Sequence, residues 1–214
     1  VRLVGSEMCI RDSMGTAGTG GFTVYNDGIA HYNSSLITYL VSFGVLAFGV
    51  NFNLYYYLLI RKFKACFEDE ELKGYLWIVF LSTALIAFNV FHLYQGFAKS
   101  VEISFFQVAN VITTTGFGYG DTVKWPLFSQ VILLLLMCIG GSAGSTAGGF
   151  KVIRGIIISR IAKNQILSTL SPNRVLTLHI NGAVIDKDTQ HKVLKYLAVY
   201  ILIILALTFI VSLD

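Results

Sequence analysis

The run Val111-Ile112-Thr113-Thr114-Thr115-Gly116-Phe117-Gly118-Tyr119-Gly120-Asp121 (VITTTGFGYGD) decides how the rest of the chain is read. It comes after the mostly apolar ISFFQVAN (103–110) and carries no charge before Asp121. Consecutive threonines weaken a helix and closely spaced glycines end it. The pattern predicts a short helix that enters from one side and an extended loop that returns. At membrane depth such backbone is tolerated only where it lines a cavity.

Composition puts that loop in lipid. The chain has 214 residues, 55% of them hydrophobic and 13% charged. Soluble domains carry about 25% charged residues, and a chain of this size has too little interior to hide so much apolar surface. Disorder is excluded too, since it needs low hydrophobicity and high net charge. A net charge of +4 would suggest nucleic acid as a partner of a soluble protein. In a membrane protein the placement of charge matters more than its sum, and no nucleic-acid partner is expected. Cys9, Cys66 and Cys138 are odd in number and lack CxxC spacing, so neither a disulfide framework nor a zinc site is indicated.

Working outward, four charge-free stretches are long enough to cross a bilayer core of about 30 Å: 36–60, 75–98, 125–150 and 196–213. Twelve Lys and Arg residues lie in the connections 61–74 and 151–195, against Lys99 and Lys124 opposite. The positive-inside rule makes those connections cytoplasmic and turns 15–35 and 99–124 outward. Within the second connection, Asn181-Gly182 predicts a hairpin turn. Residues 1–13, VRLVGSEMCIRDS, have scattered charge and resemble translated adapter read-through, so they are set aside from fold reasoning. The natural sequence is then expected to begin near Met14.

The deciding loop has an echo. Thr19-Gly20-Gly21-Phe22 resembles Thr114-Thr115-Gly116-Phe117 about 95 residues later, and each is followed by an aspartate and a charge-free span. Repeats in membrane proteins usually surround a shared pathway. A dehydrated cation must exchange its water shell for oxygens, and rings of backbone carbonyls supply them without a trapping charge. Glycine permits the torsions this needs and keeps side chains out of the path. These segments are the candidate ion-binding residues, and the chemistry suits monovalent cations, potassium above all.

The residues GGFTVYNDGIAHYNS (20–34), FGVNFNL (48–54), VITTTGFGYGD (111–121), GGSAGSTAGGFKVIR (140–154) and HINGAVID (179–186) resemble the Trk/Ktr/HKT superfamily of potassium transporters, especially the bacterial Trk-H-type membrane subunit. The resemblance implies an all-α membrane protein of repeated membrane-helix, pore-loop, membrane-helix units around a potassium-channel-like pore. This chain would be truncated at both ends. Residues 14–60 would be the second filter loop and outgoing helix, 75–160 the third repeat, and 192–214 the incoming helix of the fourth. Cytoplasmic connections would occupy 61–74 and 161–191. Two filters of four cannot close a pore. The resemblance further implies potassium as the substrate, no cofactor, a multi-pass place in the bacterial inner membrane, a homodimer, and a cytoplasmic nucleotide-binding regulatory subunit.

Gly140-Gly141-Ser142-Ala143-Gly144-Ser145-Thr146-Ala147-Gly148-Gly149 is the second candidate site. Glycines every fourth residue would suit helix packing. Five glycines in ten residues, each costing about 1 kcal/mol against alanine, favour an unwound segment lining the pore. The resemblance makes it a gate, with Lys151 behind it. A phosphate-binding loop is rejected because Phe150 separates Gly149 from Lys151.

Other polar residues have plainer expectations. Glu68 to Glu71 reads as a solvated cytoplasmic turn, and Asn51, Asn53, Asn89 and His92 as interhelical hydrogen-bonding groups. Asp27, Glu102 and Asp121 are either mouth carboxylates or solvated loop charges. No residue set suggests an enzyme. Two alternatives stand beside the transporter: a tetrameric potassium-channel subunit, disfavoured by two unlike loops in one chain, and a non-conducting scaffold, which leaves both loops unexplained.

Overall fold

The computed structural model describes residues 2–25, 27–94, 96–120, 122–170 and 177–213, with side chains from Cys9 onward. Two compact units divide the chain, 1–152 and 153–214.

The first unit opens with α1 (Arg2–Ala17), α2 (Ser35–Phe48) and α3 (Phe52–Leu59). After the short α4 (Phe63–Glu68) come α5 (Glu70–Val90), α6 (Phe97–Ile112) and α7 (Leu127–Ile139). Helix α6 packs against α2, α5 and α7, and its buried face holds Ile103, Phe106, Val108, Ala109 and Ile112. Polar residues share that face, among them Glu102, Gln107 and Asn110, and they serve the loop at the helix's C-terminal end.

Several expectations need correction. Residues 2–13, set aside in the sequence reading, are helical and form most of α1. Both α1 and α6 have 16 residues, and their ends at Ala17 and Ile112 match the spacing of the two loops. Buried Asp12 accepts from Tyr32 Oη at 2.5 Å and helps fix α1.

The span expected over 36–60 is broken: α2 and α3 meet at 93°. The reason is an exchange of backbone partners. Phe48 O accepts from Thr146 Oγ1 at 3.2 Å, while Phe52 N donates to Gly144 O at 3.1 Å. Gly49 O accepts from Ser142 N at 3.0 Å, while Asn53 N is capped by Asn51 Oδ1, also at 3.0 Å. The two ladder bonds surrendered between Phe52 and Phe48 and between Asn53 and Gly49 are thus replaced, so the break leaves these four groups satisfied.

The stretch expected to span 75–98 ends as a regular helix at Val90 and passes through a 3-10 turn at Phe91–Leu93. Helix α6 begins at Phe97, six residues ahead of the expected Ile103. Helix α7 has only 13 residues, about 20 Å at 1.5 Å per residue, so 125–150 is no continuous crossing. Residues 140–151 are non-helical, as the glycine content implies.

In the second unit, α8 (Val152–Leu170) leads to the hairpin β1 (Leu178–Ile180) and β2 (Ala183–Ile185), then to α9 (Lys187–Val211). Asn181 and Gly182, at φ 49° and 78°, make the expected two-residue turn. Ile157, Ile161, Leu178, Ile180 and Val193 close a small core, and the Arg154 guanidinium lies 3.9 Å over the Tyr196 ring. Asp186 caps α9 by accepting from Thr189 N at 3.2 Å. The Thr189 hydroxyl and that bond hold the Asp186 carboxyl below its usual range.

Among the described residues, α5 with its 3-10 turn and α9 are long and apolar enough to cross a membrane, and the bent α2–α3 pair passes as one broken span. Outward-facing Trp77, Phe80, Phe88, Leu202, Leu205 and Phe209 are exposed, a surface that belongs in lipid.

Candidate functional site

Helix α6 delivers the loop 113–120 and also clamps it. Asn110 holds Phe117 at both backbone atoms: Oδ1 accepts from Phe117 N and Nδ2 donates to Phe117 O, each at 2.8 Å. Gln107 Nε2 donates to Tyr119 O at 2.5 Å. Thr113 Oγ1 donates to Ala109 O at 2.7 Å and lies 2.7 Å from Thr115 Oγ1. These are the polar residues of the buried α6 face. They pair backbone groups at Phe117 and Tyr119 that the extended loop would otherwise leave without partners.

The loop 18–22 repeats the geometry. Thr19 and Thr114 have φ of 49° and 55°, Gly21 and Gly116 of 68° and 84°. Each threonine hydroxyl donates to the preceding carbonyl, Thr19 to Gly18 at 2.8 Å and Thr114 to Thr113 at 2.7 Å. The two loops also touch. A Cβ on Gly21 would come within 2.0 Å of Thr115 O, and Ile29 N donates to Gly118 O at 3.1 Å. Only glycine permits that approach. Gly116 has nothing within 4 Å of its Cβ direction, so it faces open space.

The copies differ where the clamp should be. Gly15 occupies the place corresponding to Asn110 and has no side chain to hold Phe22. Phe22 is 77% exposed, whereas Phe117 is 3% exposed and packed with Ile29, Val45 and Phe106.

The glycine-rich loop lies against this assembly. Gly148 N donates to Thr114 Oγ1 at 2.8 Å, which ties the run directly to the deciding loop. The run leaves α7 and comes back on itself: Phe150 N donates to Cys138 O at 3.1 Å, Lys151 N to Ile139 O at 2.7 Å, and Val152 N to Gly141 O at 3.1 Å. A Cβ on Gly140 would lie 2.2 Å from Gly148 O, so the outgoing and returning backbones nearly touch. Lys151 sits at φ 80°, and its Nζ donates to Ala147 O inside the same loop.

Glu71 corrects another expectation. It is no solvated turn residue: it is 4% exposed, and its Oε1 accepts from Ala143 N at 2.7 Å. Glu102 is likewise buried, accepting from Lys99 Nζ at 2.7 Å, Ser35 Oγ at 2.8 Å and Tyr119 Oη at 3.2 Å. Burial pushes its carboxyl up, but those donors outweigh it and hold it below the usual range. Glu102 therefore joins the start of α2 to the end of the second loop. Asn89 meets its expectation, accepting from Ser129 Oγ at 2.8 Å between α5 and α7. Asn51 instead caps α3. Asp121 lies outside the described residues. Sequence reasoning assigns no role to Gln107 and Asn110, although polar residues seven and four positions before Thr114 on an apolar helix are the available signal.

Comparison with known proteins points the same way. The family model for TrkH, a cation transport protein, matches residues 8–213. The Trk system potassium uptake protein TrkH of Escherichia coli K12 is 30% identical over 206 residues, covering 95% of this chain and 42% of the relative. TrkG of the same organism is 28% identical, covering 94% and 42%. The crystal structure of the potassium transporter TrkH from Vibrio parahaemolyticus aligns with a TM-score of 0.83 at 25% identity, over 90% of this chain and 42% of that one. The chain thus spans less than half the length of these relatives. With its lipid-facing helices and paired loops, it is a multi-pass bacterial membrane protein and belongs to the TrkH family of cation transport proteins.

Proposed function

We propose that this chain contributes two of the selectivity-filter segments and the gate of a potassium-uptake pore. The observation that carries the reading is the matched pair of loops, Thr19–Phe22 and Thr114–Phe117, in backbone contact with the same left-handed torsions. Among the described residues no donor reaches the carbonyl oxygens of Gly20, Gly21, Thr115 or Gly116, while those of Phe117 and Gly118 are taken by Asn110 and Ile29. Free carbonyls beside an open face are what a dehydrated cation requires. The named relatives are potassium uptake proteins, which favours potassium as the substrate.

The glycine-rich loop, bonded to Thr114, is the next structure a cation leaving the filter would meet on the side where α5 starts, just after the basic connection 61–74. That position supports the gate. The pore would need no cofactor and no covalent chemistry. The family resemblance extends the proposal to a homodimer and a cytoplasmic nucleotide-binding regulatory subunit for the full-length protein.

Gly116→Ser in the full-length protein tests the filter. A side chain there enters open space beside the carbonyls and strains a backbone at φ 84°. Uptake-deficient cells carrying this variant should grow poorly on limiting potassium as sodium rises, with expression retained. Unchanged growth at every sodium level removes Gly116 from the filter.

A further inference from the structure

We propose that Glu71 is the tether that holds the glycine-rich loop in its seat and couples the connection ahead of α5 to the gate. The proposal rests on the gate reading and adds the residue through which that gate would be controlled.

Glu71 lies in the first turn of α5 and is buried. A buried carboxylate needs strong donors, and Ala143 N supplies one at 2.7 Å. Hydrogen bonds to an ionised acceptor are roughly twice as strong as neutral ones. Phe48 O, Gly49 O, Phe52 N and Thr114 Oγ1 also anchor the loop, and all are neutral groups on the α2–α3 bend and the filter loop. Glu71 sits on a different kind of element. Two residues before it, Asp69 caps α5 by accepting from Leu72 N at 2.7 Å. Before that lies the basic connection with Arg61, Lys62 and Lys64. Displacing that connection displaces the first turn of α5, and the Ala143 bond with it.

The seat also carries costs. Ser142 Oγ is fully buried and meets no hydrogen-bond partner among the described residues. Lys151, at φ 80°, holds a left-handed conformation that favours glycine. These are costs that the anchoring bonds, the Glu71 bond among them, must offset while the loop is seated.

The test compares Glu71→Ala, Glu71→Gln and a deletion of residues 142–147, each in the full-length protein. It reads amide hydrogen exchange over 140–150 and rubidium flux per folded molecule in liposomes. Glu71→Ala should speed exchange about tenfold, the shift expected for losing one charge-assisted bond, and raise flux. Glu71→Gln keeps an oxygen facing Ala143 N and should fall between Glu71→Ala and wild type on both readouts. Unchanged exchange in Glu71→Ala overturns the tether, whatever the flux. Faster exchange with wild-type flux, in a protein whose deletion raises flux, overturns the coupling while leaving the gate intact. A deletion that leaves flux unchanged overturns the gate reading and the control proposed for it. If Glu71→Ala does not fold, Glu71→Gln carries the test, and no rise in either readout overturns the proposal.

Discussion

Asn110 and Gly15 occupy matching places before the two loops, and only Asn110 has a side chain that can hold its loop. Asn110 spends both ends of its amide on Phe117. Replacing it with alanine leaves the Phe117 N–H and carbonyl buried and unpaired, at about 1–3 kcal/mol for each orphaned group. Asn110→Ala should therefore loosen the loop and lower potassium-over-sodium selectivity in flux assays. Asn110→Asp keeps the acceptor for Phe117 N but loses the donor, so it should fall between. Because Gly15 has no side chain to clamp its loop, Gly15→Ala should act differently, through the 2.9 Å clash of its Cβ with Phe22 O. Equal selectivity in wild type and Asn110→Ala would show that the clamp does not shape the filter.

At the scale of elements, the bend between α2 and α3 and the glycine-rich loop are one feature. The backbone groups released at Phe48, Gly49 and Phe52 are paired with Ser142, Gly144 and Thr146. Gate and packing readings then make opposite forecasts. If the loop obstructs the pore, deleting residues 142–147 removes the obstruction and raises rubidium flux per folded molecule. If the loop serves only to complete the bend, the same deletion orphans those groups and lowers folded yield and flux together. A gate that also completes the bend should show reduced yield from the lost pairing but higher flux per molecule that folds. Flux at or below wild type in the folded fraction would sink the gate.

This coupling explains what could be read in the sequence. The loops 19–22 and 113–120 were legible because glycine torsions and threonine caps are local chemistry. The Asn181-Gly182 turn was legible for the same reason. The bend at 49–51 was not, since 36–60 carries neither charge nor proline and its replacement bonds come from residues about 95 positions away. Glu71 looked solvated because its neighbours Glu68, Asp69 and Glu70 are also acidic, and only tertiary packing sets it apart. Helix α1 was hidden by a composition unlike that of α6.

For the whole molecule, the repeat is the organising fact. Helices α1 and α6 have equal length, deliver loops of similar torsion, and bring them into contact in one unit. Among the described residues, the carbonyls of Gly20, Gly21, Thr115 and Gly116 in those loops meet no donor, and the chain spans 42% of the TrkH relatives it matches. The central claim is that these carbonyls bind the transported cation. The most direct measurement is anomalous diffraction from rubidium-soaked crystals of the full-length protein. The expected result is a rubidium peak coordinated by main-chain oxygens of Gly20, Gly21, Thr115 and Gly116. Rubidium ordered elsewhere in the protein, with none between these two loops, would contradict it.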